Sequence, residues 1–82
     1  MDFFVYIIYS DSIDRYYVGQ TEDLAKRLND HQTGHSKYTK TGKPWVLKWS
    51  RSFPTRSEAV KEETRIKKQK SRLFIESLIK TG

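Results

Sequence analysis

Residues 3–20 read FFVYIIYSDSIDRYYVGQ, and the fold turns on how this stretch is read. Phe3–Tyr9 is a continuous β-branched and aromatic run, short enough to be a strand with both faces covered. Ser10–Asp14 supply turn chemistry, and Arg15–Gln20 form a second strand-like run. The pair predicts an antiparallel hairpin. With Ser10–Ile13 as its loop, Tyr9 faces Asp14 and Tyr6 stands directly across from Tyr17. Two phenols then share one face of a sheet.

Working outward, Thr21 reads as a helix N-cap, with Glu22 and Asp23 in the first turn, where the helix dipole favours acids. The helix is expected from about Glu22 to Gln32, with Gly34 as its terminator. HSKYTKTGK (residues 35–43) is a polar, basic loop. PWVLKWSRSF (44–53) alternates well enough for a third strand, Trp45 to Ser52. Pro54 with Thr55 or Ser57 opens a second helix through about Lys70, and Ser71 caps a last short one over RLFIESLIK. The order β-β-α-β-α-α predicts an α+β domain, with a small three-stranded antiparallel or mixed β-sheet flanked by helices. One face of that sheet is expected to be partly open to a ligand. No internal repeat, low-complexity segment or linker interrupts the chain, so residues 1–82 read as a single domain.

An 82-residue chain has room for one hydrophobic core. With 35% hydrophobic and 13% aromatic residues, that core must lean on a few large side chains. The absence of cysteine excludes disulfides and thiolate chemistry. No apolar run is long enough to span a bilayer, and MDFFVYIIYSD lacks the basic segment and small-residue cleavage site of a secretory leader. A cytoplasmic location with no membrane partner is the expectation. The formal charge is +6 and unevenly spread: residues 1–33 carry three basic and six acidic groups, residues 34–82 thirteen and four. Such asymmetry fits a polyanionic partner, nucleic acid being the commonest, although a solvated lysine-rich surface gives the same numbers.

Candidate chemistry sits on both longer helices. Leu24 and Leu28 define the buried stripe of the first, and Arg27 and His31, at i and i+4, lie along its edge. That arrangement is read either as an amphipathic border with buried stems or as part of a site. On the second helix, Ala59, Val60 and Ile66 mark the apolar arc, Glu63 lies near its middle and Glu62 towards its flank. An acid facing a core requires a cationic partner, such as Arg27 or Lys67, or a metal. A lone carboxylate assisted by water and phosphate oxygens suits Mg²⁺.

In combination, VYI (5–7), YVG (17–19), Arg27, His31 and EAVKEETRIK (58–67) resemble the GIY-YIG endonuclease domain. The resemblance is closest to the small stand-alone bacterial YhbQ/UPF0213-like (URI) family. It runs over essentially the whole chain, including SKYT (36–39), FPTRSEA (53–59) and RIKK (65–68). It implies a GIY-YIG fold and a DNA endonuclease that hydrolyses one phosphodiester bond with a divalent metal, Mg²⁺ or Mn²⁺, leaving a 5′-phosphate and a 3′-hydroxyl. Carried over, Tyr17 is the general base for water or relays its proton, and Tyr6 shapes and hydrogen-bonds the site. Arg27 stabilises phosphate charge, His31 takes a proton or orients a tyrosine, and Glu63 holds the metal. The chemistry agrees. A tyrosine of pKa about 10 needs a nearby cation to act as a base near neutrality, and the planar fork of Arg suits phosphate. Val5 and Val18 replace the first glycine and the isoleucine of the family's motif. The asparagine that many members carry beyond the second helix has no counterpart, the only one here being Asn29; Gln69, Lys70 and Ser71 lie in that region.

For nucleic-acid contact, Lys37, Lys40 and Lys43 surround Tyr38, a mixture suited to phosphates plus stacking on an unpaired base. Lys26, Lys67 and Lys68 extend the basic surface. DNA is the expected partner, branched or single-stranded and read by shape, in repair, recombination or processing. The reading from a different class is a weakly active or non-catalytic nucleic-acid-binding module, or a subunit activated by a partner protein.

Overall fold

A computed structural model of the chain describes residues 2–34 and 41–81. Its elements run β1 (Phe3–Ser10), β2 (Arg15–Thr21), α1 (Leu24–Thr33), β3 (Trp45–Phe53), α2 (Arg56–Lys68) and α3 (Arg72–Thr81). The sheet is antiparallel throughout, with β1 in the centre and strand order β2-β1-β3. The architecture is therefore the expected α+β arrangement in the expected order. Each strand is β-branched or aromatic where it meets a core, and each helix begins at a side-chain cap.

The hairpin register differs from expectation by two residues. Tyr6 pairs with Gly19, Ile8 with Tyr17 and Tyr9 with Tyr16. The loop spans residues 11–14, because Ser10 still pairs with Arg15 and Asp14 takes the left-handed conformation that closes the turn (φ 53°). A two-residue slip preserves the pleat's parity, so Tyr6 and Tyr17 do share a face, as diagonal neighbours and not direct partners. The first helix also starts later. Asp23, not Thr21, is the N-cap, its carboxylate accepting the Lys26 N–H at 3.0 Å. Thr21 ends β2, and its hydroxyl accepts the Asp23 N–H at 3.1 Å. Gly34 terminates α1 at φ 83°, as its sequence position suggests. Thr55 caps α2, which stops at Lys68, short of Lys70, and Ser71 accepts the Phe74 N–H at 3.2 Å to start α3.

Each face of the sheet holds its own core. On one, Val5, Ile7, Val18 and Trp49 pack with Ala59 and Ile66 of α2 and with Phe74, Ile75 and Leu78 of α3. On the other, Tyr6, Ile8 and Trp45 pack with Tyr17 and with Leu24 and Leu28 of α1. Trp45 and Trp49 are four apart and in a regular strand would point the same way. A β-bulge separates them: Ile7 pairs with Trp49 but Ile8 with Leu47, leaving Lys48 as the extra residue. The bulge gives each face one indole. Gln32 then ties α1 to the start of β3, its Oε1 accepting the Trp45 N–H at 2.8 Å and its Nε2 donating to the Trp45 carbonyl. Among the described residues, no helix is long and apolar enough to cross a membrane.

Candidate active site

The site grows from the α1 face of the hairpin. Tyr6 is fully buried, while Tyr17 is only partly so. The ring of Tyr6 lies across Gly19, its partner on β2: a Cβ there would fall 2.5 Å from Tyr6 Oη, 2.7 Å from Cζ and 3.1 Å from Cε1 of Tyr17. Gly19 therefore makes room for the phenol. From α1, His31 descends onto the two rings. Its Nε2 is 2.8 Å from Tyr6 Oη, its ring is 5.6 Å from the Tyr6 ring, and it meets Tyr17 edge-on at 5.1 Å. The Tyr6 and Tyr17 centroids are 6.4 Å apart, and Trp45 closes the side of Tyr17 at 6.5 Å.

Arg27, one turn before His31, brings its guanidinium to both phenols. Burial works against its charge, but hydrogen bonding to Tyr6 and Tyr17 outweighs this and raises its pKa. Asp30 steadies it from the other side at 3.7 Å. A guanidinium can only donate, so the Tyr6 oxygen accepts from Arg27 and its own hydrogen goes to His31 Nε2. That assignment requires a neutral imidazole. Burial, reinforced by the Arg27 charge and partly opposed by Asp30, pushes His31 down to about 4. Burial, with Tyr17 and Glu63 adding to it and Arg27 opposing, pushes Tyr6 up to about 12. Tyr6 and His31 thus form a neutral, hydrogen-bonded pair at pH 7, beside the cationic Arg27 and the accessible Tyr17.

Glu63 approaches from α2, and its charge is felt at the Tyr6 phenol. The buried face of that helix differs from expectation, because Val60 is 40% exposed and only Ala59 and Ile66 are buried. Glu62 and Glu63 therefore flank the stripe equally, with side chains 13% and 19% exposed. Their partners separate them. Glu62 grips Arg65 with two bonds of 2.8 Å and senses Arg51 of β3, which together hold its carboxyl low. Glu63 pairs with Lys67 at 2.8 Å. Of the two cations the sequence offered Glu63, Lys67 is the one that takes it.

Tyr6, Tyr17, Arg27 and His31 are thus in mutual contact, with Glu63 within electrostatic reach. The basic residues are more scattered. Lys26 pairs with Asp30 at 3.4 Å, and Lys43 and Lys68 are exposed. Lys37, Tyr38 and Lys40 lie outside the described residues. Sequence reasoning missed Asp30, whose i,i+3 spacing from Arg27 was a usable signal, and Trp45, whose face was hidden by the bulge.

A three-stranded α+β domain in which a phenol of the first strand lies over the glycine of a Tyr-x-Gly second strand, beside a helical Arg and His, is the GIY-YIG class of domain. The family model for the GIY-YIG catalytic domain matches residues 2–76, and the chain belongs to that family. Within it, the relatives are UPF0213 proteins. The chain is 40% identical over 75 residues to UPF0213 protein VNG_2274C of Halobacterium salinarum, covering 85% of this chain and 96% of the relative. It is 42% identical over 65 residues to UPF0213 protein YazA of Bacillus subtilis, covering 74% and 66% respectively. The solution NMR structure of UPF0213 protein BH0048 from Bacillus halodurans superposes with a TM-score of 0.61 at 32% identity, over 98% of this chain and 84% of that one.

Proposed function

We propose that the protein is a metal-dependent DNA endonuclease that hydrolyses one phosphodiester bond. The observation carrying this reading is the accessible Tyr17 phenol, set between the Arg27 guanidinium and the neutral Tyr6–His31 pair, with the Glu63 carboxylate within reach. A water oxygen attacks phosphorus, the bond to the 3′ oxygen breaks, and the products are a 5′-phosphate and a 3′-hydroxyl. Tyr17 takes the proton of the attacking water, directly or through a second water. The Arg27 guanidinium, which hydrogen-bonds the Tyr17 phenol, donates to the phosphate oxygens. Tyr6 is a fixed donor to His31, and its high pKa keeps its own proton in place. Gly19, Leu24, Leu28 and Trp45 hold this constellation rigid.

Among the described residues, no three His, Cys, Asp or Glu side chains converge, and Glu63 is the carboxylate whose charge reaches the Tyr6 phenol. Glu63 fits the role of cation ligand: its side chain is 19% exposed and is held by one flexible lysine. Single-carboxylate binding completed by water and phosphate oxygens is characteristic of Mg²⁺. Bound at Glu63, a cation would neutralise charge on the phosphate and the leaving oxygen.

The test is cleavage of labelled single-stranded, duplex and branched DNA in Mg²⁺, Mn²⁺ or EDTA, beside Tyr17→Phe and Glu63→Ala. Metal-dependent cutting lost in both variants supports the mechanism. Variants that cut as well as the parent refute the site, and binding without cutting on every substrate indicates a binding module instead.

A further inference from the structure

Outside the phenol cluster, one cavity stands out. A groove of about 750 Å³ runs from Tyr17 along β2 to the junction of α2 and α3. Its accessible apolar lining comes from Ile13, Tyr17 and Ile75, above the buried Val18 and Ile66, and Arg15, Lys67 and Lys70 also line it. Arg72 also lines it but is committed elsewhere, bound to Asp14 at 2.7 Å and to Glu76 at 3.1 Å and lying over the Tyr16 ring. Among the described residues, neither Arg15 nor Lys70 is paired with a carboxylate.

Lys70 is the second observation. It sits just past the end of α2 at φ 46°, in the left-handed region. This is the position at which helices usually place glycine, which adopts that conformation without a steric penalty. A lysine held there instead projects an ammonium at the mouth of the groove, and such strained positions cluster where a side chain has a task.

We infer that this groove takes an unpaired nucleotide adjoining the phosphate at Tyr17, its base on the apolar lining and its own phosphate between Lys70 and Arg15. The inference rests on the nuclease reading and extends it to a substrate class. Three features select this occupant. The groove lies on the α2–α3 side and reaches Tyr17 at the β2 edge of the sheet, it is within the size range of small-ligand sites, and it combines apolar lining with unpaired cations. A duplex presents phosphates alone to such a surface, so the apolar lining would be unused. Lys67, shared between the groove and Glu63, joins the two regions.

The experiment measures binding by fluorescence anisotropy in EDTA, where no cutting intervenes. The probes are a perfect duplex, the same duplex with one unpaired nucleotide, and that bulged duplex with the unpaired base replaced by an abasic residue. The intact chain should prefer the bulge, and removing the base should weaken binding by about five- to a hundredfold, the range for one stacked base. Lys70→Gly removes the ammonium while relieving the backbone, so it should fold at least as well. It should nevertheless bind the bulge about threefold or more weaker, with a salt slope reduced by about one. Equal affinity for the base-containing and abasic bulges, or an unchanged salt slope in Lys70→Gly, overturns the inference while leaving the cleavage reading intact. Failure to bind any of the three also overturns the inference, while the cleavage reading stands or falls on its own assay in Mg²⁺ or Mn²⁺.

Discussion

Lowering the pH from 7 to 4 should remove a large part of the protein's stability through a single residue, His31. Its imidazole is fully buried, accepts the Tyr6 hydrogen at 2.8 Å and lies near the Arg27 charge. Burial and that charge push it from 6.5 down to about 4. Between those values the unfolded chain binds a proton that the folded chain refuses, so stability rises with pH across the window. The stabilisation is complete above 6.5 and gone by about pH 4. At 1.36 kcal/mol per pH unit, the gap corresponds to roughly 3 kcal/mol, a substantial part of what a domain of this size possesses. Urea unfolding at half-unit steps from pH 4 to 7.5, with His31→Gln as the reference, isolates this contribution from the carboxylates. The difference between the two proteins should slope upward with pH and flatten above about 6.5. An NMR midpoint for His31 close to 6.5, or a flat difference curve, would refute the neutral Tyr6–His31 pair.

Gly19→Ala places a Cβ against Tyr6 Oη and Cζ at 2.5 and 2.7 Å, and the buried ring has nowhere to retreat. Urea unfolding should show a loss of about 1–3 kcal/mol, and the His31 midpoint should move up towards 6.5 as its partner is displaced. Deleting Lys48 removes the bulge but leaves Trp45 and Trp49 three apart in a regular strand, still on opposite faces. Denaturation and tryptophan fluorescence should therefore show both indoles buried and a loss well below the roughly 3–5 kcal/mol of removing one from its core. Arg72→Gln releases Asp14, whose carboxyl Arg72 holds down to about 2 with help from Tyr9. Its titration by carboxyl NMR should return towards 3.8, and the stability difference from the parent should be constant above 3.8 and vanish as pH falls to about 2.

Much of the fold was legible because its signals are local. The apolar run at Phe3–Tyr9, the caps at Thr55 and Ser71 and the stop at Gly34 are each written in a few neighbouring residues. What escaped depends on the partner strand or on backbone conformation. The hairpin register turned on Asp14 adopting a left-handed φ, which moved the loop by one residue and the pairing by two. Asp23 displaced Thr21 as the cap because Thr21 was still needed by β2. The bulge at Lys48 is invisible in PWVLKWSRSF, since only pairing with β1 shows that one residue has no opposite number.

The candidate site was legible for a different reason: parity survives small errors. A two-residue slip leaves Tyr6 and Tyr17 on the same face, and the i,i+4 spacing of Arg27 and His31 brings both to that face wherever the helix begins. Glu63 was distinguished from Glu62 by its position on the apolar arc, yet the helix buries the two almost equally. The difference between them lies in tertiary surroundings, Arg65 and Arg51 around one, Lys67 and the Tyr6 phenol around the other. The division of labour between the phenols was equally hidden. YVG and VYI look alike as strings, but Gly19 draws the Tyr6 ring inward onto His31 and leaves Tyr17 accessible. A buried phenol raised to about 12 holds its proton, and Gly19 is what lets that ring lie inward while Tyr17 stays partly exposed.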